Sequence, residues 1–269
     1  MKRVLSIDWD YFINCSARDR LFLFPDGGNE YISEQLQLFI WDSHYKSYPQ
    51  IRKIGVTKDF DLMKEVCLSY RGISPLVAVS HRHIYDYIES NTRENEVIEV
   101  YNVDFHHDMY HYRSEGGDVN CGNWVNCLQK IRPNMKYHWI KKSDSDLNNI
   151  EGEVKCLYSP IEVLRRVKFD MLFLCRSDCW SPPHLDKKFL DLVDAILHNP
   201  STRISIEKYA EKPRRVPSKE ELDNQFGLVN VAIARDMKKY ANGTCVMCGA
   251  PLPEGHISVC PACERTSRP

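Results

Sequence analysis

Short apolar runs recur along the first 198 residues, and stretches with apolar positions three and four apart follow them. Brief apolar runs bounded by turn residues read as strands buried on both faces, and the 3.6-residue period reads as amphipathic helix. The pattern predicts strands over 3–7, 76–80, 97–105, 136–140 and 169–175. It predicts helices over 32–45, 83–90, 123–131, 160–167 and 185–197. The last of these puts Leu185, Phe189, Leu192, Val193, Ile196 and Leu197 on one stripe. Pro182 and Pro183 stand just ahead of it, where a strand stops and a helix can begin. Strand alternating with helix is the pattern of a mostly parallel sheet covered by helices, so the expected fold class is α/β.

The texture changes at residue 199. Asn199-Pro200-Ser201-Thr202 reads as a turn and residues 212–218 as a linker or exposed loop. Ser218-Lys219-Glu220-Glu221 has the form of a capping box, which predicts a helix running to about residue 240. Three segments follow: a catalytic domain over 1–198, a linker and packing helix over 199–240, and a terminal module over 241–269. The sequence contains no internal repeat.

Charge narrows the functional classes. Lys plus Arg is 36 and Asp plus Glu 37, a net charge of -1, which argues against coating nucleic acid or an acidic membrane surface. Hydrophobic residues make up 43% and aromatic residues 11%, the composition of a packed globular chain. No apolar run approaches the roughly 20 residues that a membrane helix needs. The N-terminus meets acid at Asp8 before any signal-peptide core develops, so a soluble, cytoplasmic protein is expected.

Carboxylates and imidazoles gather where predicted strands end. Asp8 and Asp10 close the first strand; Asp104, His106 and Asp108 close the third; His81 and His83 follow the second. Side chains two apart on an extended strand share a face, and parallel strands bring their C-terminal ends to one edge. Four carboxylates and a histidine converging there repel one another unless cations neutralise them. Oxygen donors with one or two imidazoles suit manganese or a divalent ion of similar hardness. Two such ions about 3.5–4 Å apart can activate water near neutral pH. For the remaining ligand His81 is preferred, with His83 the alternative; His107 falls on the opposite face and reads as packing.

Four of the eleven cysteines form a second motif, Cys245-x2-Cys248-x11-Cys260-x2-Cys263. Each Cys-x-x-Cys turn aims two thiolates at one ion, and four thiolates suit a tetrahedral structural zinc. A segment this short has no core of its own, so one Zn2+ would supply its folding energy. The other seven cysteines read as mostly buried thiols.

Asp104-Phe105-His106-His107-Asp108 resembles the Asp-x-His-x-Asp metal motif of the arginase (ureohydrolase) superfamily, and Ser6-Ile7-Asp8-Trp9-Asp10 resembles its Ser-x-Asp-x-Asp motif. Ordinary arginases carry these motifs in the opposite order. The order here, with Asp10-Tyr11-Phe12 and Gly122-Asn123-Trp124, is similar to an arginase-like family that includes peptide arginases, which convert arginine side chains of ribosomal precursor peptides to ornithine. The resemblance covers about residues 1–198 and is specific at the motifs alone. It implies a three-layer α/β/α domain with two Mn2+ ions, Asp8 and Asp104 bridging them. Asp108 and His81 would complete one coordination shell, Asp10 and His106 the other. It further implies hydrolysis of a guanidino group to urea and an amine.

A carboxylate should orient the cationic guanidinium. Asp178 is the candidate, a helix-entry turn being the equal alternative. His111 is the candidate proton shuttle, although an exposed loop histidine would look the same. Residues 110–118 read as a loop over the metal edge, which makes Tyr110 and the nearby Asn123 candidates for substrate contact. No set of polar residues for a free amino-acid head group stands out, which favours a peptide substrate. Three functions therefore compete. They are a peptide arginase, another metal-dependent C–N hydrolase such as an amidohydrolase or deacetylase, and a non-catalytic adaptor recruiting a partner through its zinc ribbon.

Overall fold

The computed structural model describes residues 1–25, 32–110, 118–145, 147, 155–200 and 202–241, with 245, 248, 250–252 and 261–262 beyond them. The chain divides into two compact units, Met1–Val216 and Pro217–Pro269.

The first unit is built on seven parallel strands: β1 (Lys2–Asp8), β2 (Leu76–Ala78), β3 (Ile98–Val103), β4 (Lys136–Ile140), β5 (Cys156–Tyr158), β6 (Met171–Cys175) and β7 (Ser205–Ile206). Their order across the sheet is β5-β4-β3-β1-β6-β2-β7. Every residue of β3 and β6 is buried, as expected of strands covered on both faces. The helices are α1 (Ala17–Leu23), α2 (Glu34–Ser47), α3 (Asp59–Ser69), α4 (His83–Asn91), α5 (Trp124–Ile131) and α6 (Asp186–Leu197). The arrangement is an α/β fold with helices flanking an all-parallel sheet.

Large aromatic side chains cement the layers. Trp9 lies 5.9 Å from Phe60 of α3 and 5.9 Å from Phe189 of α6, ring centre to ring centre. Elsewhere Val4, Val100, Trp124, Tyr137, Trp139 and Phe173 share one buried cluster. Burying a side chain of this size stabilises the fold by roughly 1.5–3 kcal/mol, so these contacts fix how the helices sit over the strand ends.

The structure departs from the pattern in several elements. The segment expected as a helix over 160–167 is a 3-10 helix, Ile161–Arg166, in which the Val163 N–H bonds back three residues to the Pro160 carbonyl. Helices α1 and α3 were not anticipated, although Phe60, Met63, Val66 and Cys67 of α3 are buried at helical spacing. Strands β5 and β7, three and two residues long, carry too little pattern to signal themselves and form by pairing with β4 and β2. The first compact unit runs to Val216 and takes in β7 and the buried Arg214.

In the second unit α7 (Lys219–Ala241) begins at the expected capping box. The Ser218 hydroxyl accepts from Glu221 N at 3.1 Å, and Ser218 N donates to the Glu221 carboxylate at 2.6 Å. Cys245 is buried and Cys248 exposed, with Cys245 N donating to the Ala250 carbonyl at 2.6 Å. Cys260 and Cys263 lie outside the described residues, and with them the expected four-thiolate arrangement. Among the described residues no helix is long and apolar enough to cross a membrane.

Candidate metal centre

Strand β1 sits in the middle of the sheet, between β3 and β6, and its end carries the first candidate ligands. Ile7 pairs with Val103 and Asp8 with Cys175, so Asp8 and Asp104 emerge side by side. Strand alternation does not place the other carboxylates, contrary to expectation. Asp10 lies on a 3-10 helix, Trp9–Phe12, that starts as soon as β1 ends, and the Asp8 carboxylate caps it by accepting from Asp10 N at 3.0 Å. Strand β3 stops at Val103, so His106 and Asp108 lie on the loop beyond it. Asp108 has φ 54, a left-handed conformation that Asp tolerates better than most residues.

The outcome is two triads that share one carboxylate. Asp8, His81 and Asp104 form the first, and Asp10, Asp104 and His106 the second; within each, one ligand atom per residue lies within 4.8 Å of the others. His81 Nδ1 lies 3.2 Å from an Asp8 oxygen, 3.1 Å from Asp104 and 3.1 Å from Asp108. His106 Nδ1 lies 3.1 Å from Asp10 and 3.8 Å from Asp104. All four aspartates are buried, while the His106 side chain is 22% exposed, which marks the open side of the centre. This buried Asp/His cluster could hold a metal ion.

His81 tests the fit. Its Nδ1 is buried without a hydrogen-bond partner although three carboxylates surround it, while Nε2 is 2.7 Å from the Ser6 hydroxyl. With Nε2 donating to Ser6, Nδ1 faces negative oxygens, an arrangement that either a proton on Nδ1 or a metal cation in its place reconciles. Neighbours hold the carboxylates too: Trp124 Nε1 donates to Asp108 at 2.6 Å, Asn102 Nδ2 to Asp104 at 3.2 Å and the Ser177 hydroxyl to Asp8 at 3.1 Å. Arg20, buried on α1, donates to the Asp10 carbonyl at 2.6 Å and to its carboxylate at 3.4 Å.

The electrostatics follow from burial and crowding. Burial pushes the Asp8 carboxyl up to about 7, with the charges of Asp10 and Asp104 adding to it. Burial does the same to Asp104, up to about 7, with Asp108 behind it. On Asp10 burial acts in the same direction, but the charges of His106 and Arg20 outweigh it and hold that carboxyl at about 2. Burial opposes a charged imidazole at His106, yet Asp10 carries it up to about 9. For His81 the surrounding aspartates, Asp108 foremost, overcome burial and raise it well above the ordinary range.

The remaining sequence candidates fall elsewhere. His83 opens α4, so His81 is the histidine that meets the carboxylates. His107 is fully buried, its Nδ1 accepting from Met109 N at 2.9 Å. Asn123 ties its own loop, accepting from Asn120 N at 2.7 Å and donating to the Asp118 carbonyl. The Tyr110 ring lies 4.0 Å from that of His107. Asp178 lines a cavity of about 360 Å³ together with Ser80, His83 and Glu207, but Arg176 already grips both its carboxylate oxygens, at 2.5 and 2.8 Å. His111 lies outside the described residues. Sequence reasoning missed Ser6, Ser177 and Trp124 as supports of the ligands and Arg20 as a counter-charge. Ser6, two residues from Asp8 on the same strand, was the one with a local signal.

No family model matches the chain, and neither curated proteins nor solved structures provide a match.

Proposed function

We propose that this chain is a binuclear metal-dependent hydrolase that cleaves the guanidino group of arginine side chains in a peptide, giving ornithine and urea. The observation that carries the reading is the pair of Asp/His triads sharing Asp104. Two groups that share one carboxylate offer a place for an ion in each. Asp8, His81, Asp104 and Asp108 would hold one ion; Asp10, Asp104 and His106 would hold the other. The predominance of carboxylate oxygen suits Mn2+. When bound, the ions would supply positive charge that acidifies water and polarises the bond to be cleaved.

The protein's own side chains prepare that chemistry. Ser6 fixes the ring orientation of His81, and Trp124 holds the Asp108 carboxylate in place. Arg20 and His106 keep Asp10 ionised. Substrate would approach past His106, the ligand with exposed surface, where Trp180 flanks it with ring centres 4.8 Å apart. A deacetylase-type reading needs His106 and His107 as a working pair, and the full burial of His107 speaks against it. The spacing of Cys245, Cys248, Cys260 and Cys263 supports one structural Zn2+ in the second unit.

The test is to incubate the manganese-loaded protein with arginine-containing peptides and with free arginine, following urea and product mass. Urea with an arginine-to-ornithine mass change in the peptide alone is the expected result. Absence of urea from either substrate, with manganese bound, overturns the guanidino reading, and so does an Asp104→Ala variant that keeps full activity.

A further inference from the structure

Among the described residues two that are not glycine have positive φ, Asp108 at 54 and Ser177 at 57, and both adjoin the metal centre. Asp108 is itself a candidate ligand. Ser177 is not, and its sequence context Arg176-Ser177-Asp178 carries no metal motif. A side chain pays a conformational penalty in the left-handed region, so a serine held there asks for a reason.

The local hydrogen bonding shows how the strain arises. Beyond the paired end of β6, Arg176 N donates to the Ala78 carbonyl at 2.8 Å and Asp178 N to the Val79 carbonyl at 3.4 Å. The chain after β6 thus advances two residues where the chain after β2 advances one, a bulge-like step that places Ser177 at its crest. Bulges of this kind re-aim a side chain beside a site. Arg176 and Asp178 flank the crest and close on each other in a two-point ion pair at 2.5 and 2.8 Å. Arg214 fastens the far side, donating to the Asp178 carbonyl at 2.7 Å and the Ser181 carbonyl at 2.8 Å, while Asp186 holds Arg214 in turn at 2.7 Å. The Ser181 hydroxyl lies 2.8 Å from the Arg176 carbonyl and 3.0 Å from the Ser177 carbonyl, and its hydrogen is shared between them. Arg176, Ser177, Asp178, Ser181, Asp186 and Arg214 are all buried.

The crest puts the Ser177 hydroxyl 3.1 Å from the Asp8 oxygen that faces His81 Nδ1, while Asp10 N holds the other Asp8 oxygen at 3.0 Å. Asp8 is thereby gripped at both oxygens. We infer that Ser177 is a positioning residue for Asp8 in the metal centre, and that the Arg176–Asp178 pair is the clamp that holds it there. The inference rests on the metal-centre part of the proposed function and is independent of which bond is cleaved. It also gives Asp178 a task other than gripping a substrate guanidinium, since both its oxygens face an arginine of its own chain.

The test compares Ser177→Gly and Ser177→Ala with the wild-type chain, titrating MnCl2 by calorimetry and recording thermal melts. Both variants delete the hydroxyl, but glycine removes the left-handed penalty and protects the fold. The expected result is that both bind Mn2+ about tenfold more weakly, as loss of a ligand's supporting hydrogen bond commonly does, with Ser177→Gly melting as the wild type does. Wild-type affinity in Ser177→Gly overturns the inference, whatever Ser177→Ala does, because the backbone rather than the hydroxyl would then be what matters. A wild-type chain that takes up no Mn2+ fails at the earlier step and overturns the metal-centre reading itself.

Discussion

Three carboxylates crowd one nitrogen of His81, and the consequences are protonic. Asp8 and Asp104, both carried up to about 7 by burial first and by neighbouring charge second, bind protons at a pH where ordinary aspartates have lost them. A cation needs these oxygens ionised, so below about 7 protons compete with it and binding releases them. The sign is unambiguous: raised carboxyl values in the metal-free protein mean that affinity climbs with pH. Mn2+ affinity is expected to climb from about pH 6 and to go on climbing to about 9, where His106 also gives up its proton, by up to about tenfold per unit for each proton displaced. Calorimetric titrations across that range check it; a flat profile contradicts the raised values. At this scale much was legible in the chain. Asp8, Asp10, Asp104 and His106 announce themselves by spacing at the ends of apolar runs. Ser177 could not be seen, because it comes 169 residues after the carboxylate it serves.

At the scale of elements, what matters is how strand ends are tied to the helices that follow them. Two buried arginines meet at the turn between β6 and α6, Arg176 within it and Arg214 from the chain after β7, each paired with buried aspartate. Asp186, at the start of α6, accepts from Arg214 N, Nε and Nη2 at 2.8, 2.8 and 2.7 Å. Removing one partner leaves the other charge buried and unmatched, which costs far more than losing a surface pair. Arg214→Leu is therefore expected to destabilise the first unit by roughly 3–5 kcal/mol, measured by urea unfolding; a loss under about 1 kcal/mol shows the network to be dispensable. Residues 212–218 are loop, as expected, although Arg214 within them is buried; α1, α3, β5 and β7 were not among the expected elements. Strands of two and three residues have no periodicity to read. Their stability comes from the neighbouring strand that supplies the hydrogen bonds.

Over the whole molecule the two proposed metal sites fall in separate compact units, the oxygen-rich one in Met1–Val216 and the proposed thiolate one in Pro217–Pro269. The proposal gives two Mn2+ and one Zn2+ per chain. Elemental analysis of a Cys245→Ser, Cys248→Ser double variant should lose the zinc and keep the manganese, and zinc retained at full stoichiometry would remove the ribbon from the proposal. The α/β class, the parallel sheet, the capping box at Ser218 and the cluster of acids at strand ends were all determined by the sequence itself. Each is a local matter of apolar period, cap chemistry or residue spacing within a few positions. Tertiary structure alone decided that His81 rather than His83 reaches the carboxylates, that Asp178 faces Arg176, and that Arg20 and Ser177 brace Asp10 and Asp8. These pairings join residues far apart in the chain or turn on how a helix or loop begins. They depend on the order in which strands lie side by side, and sheet order is set by the burial of whole faces, which no short stretch of sequence encodes.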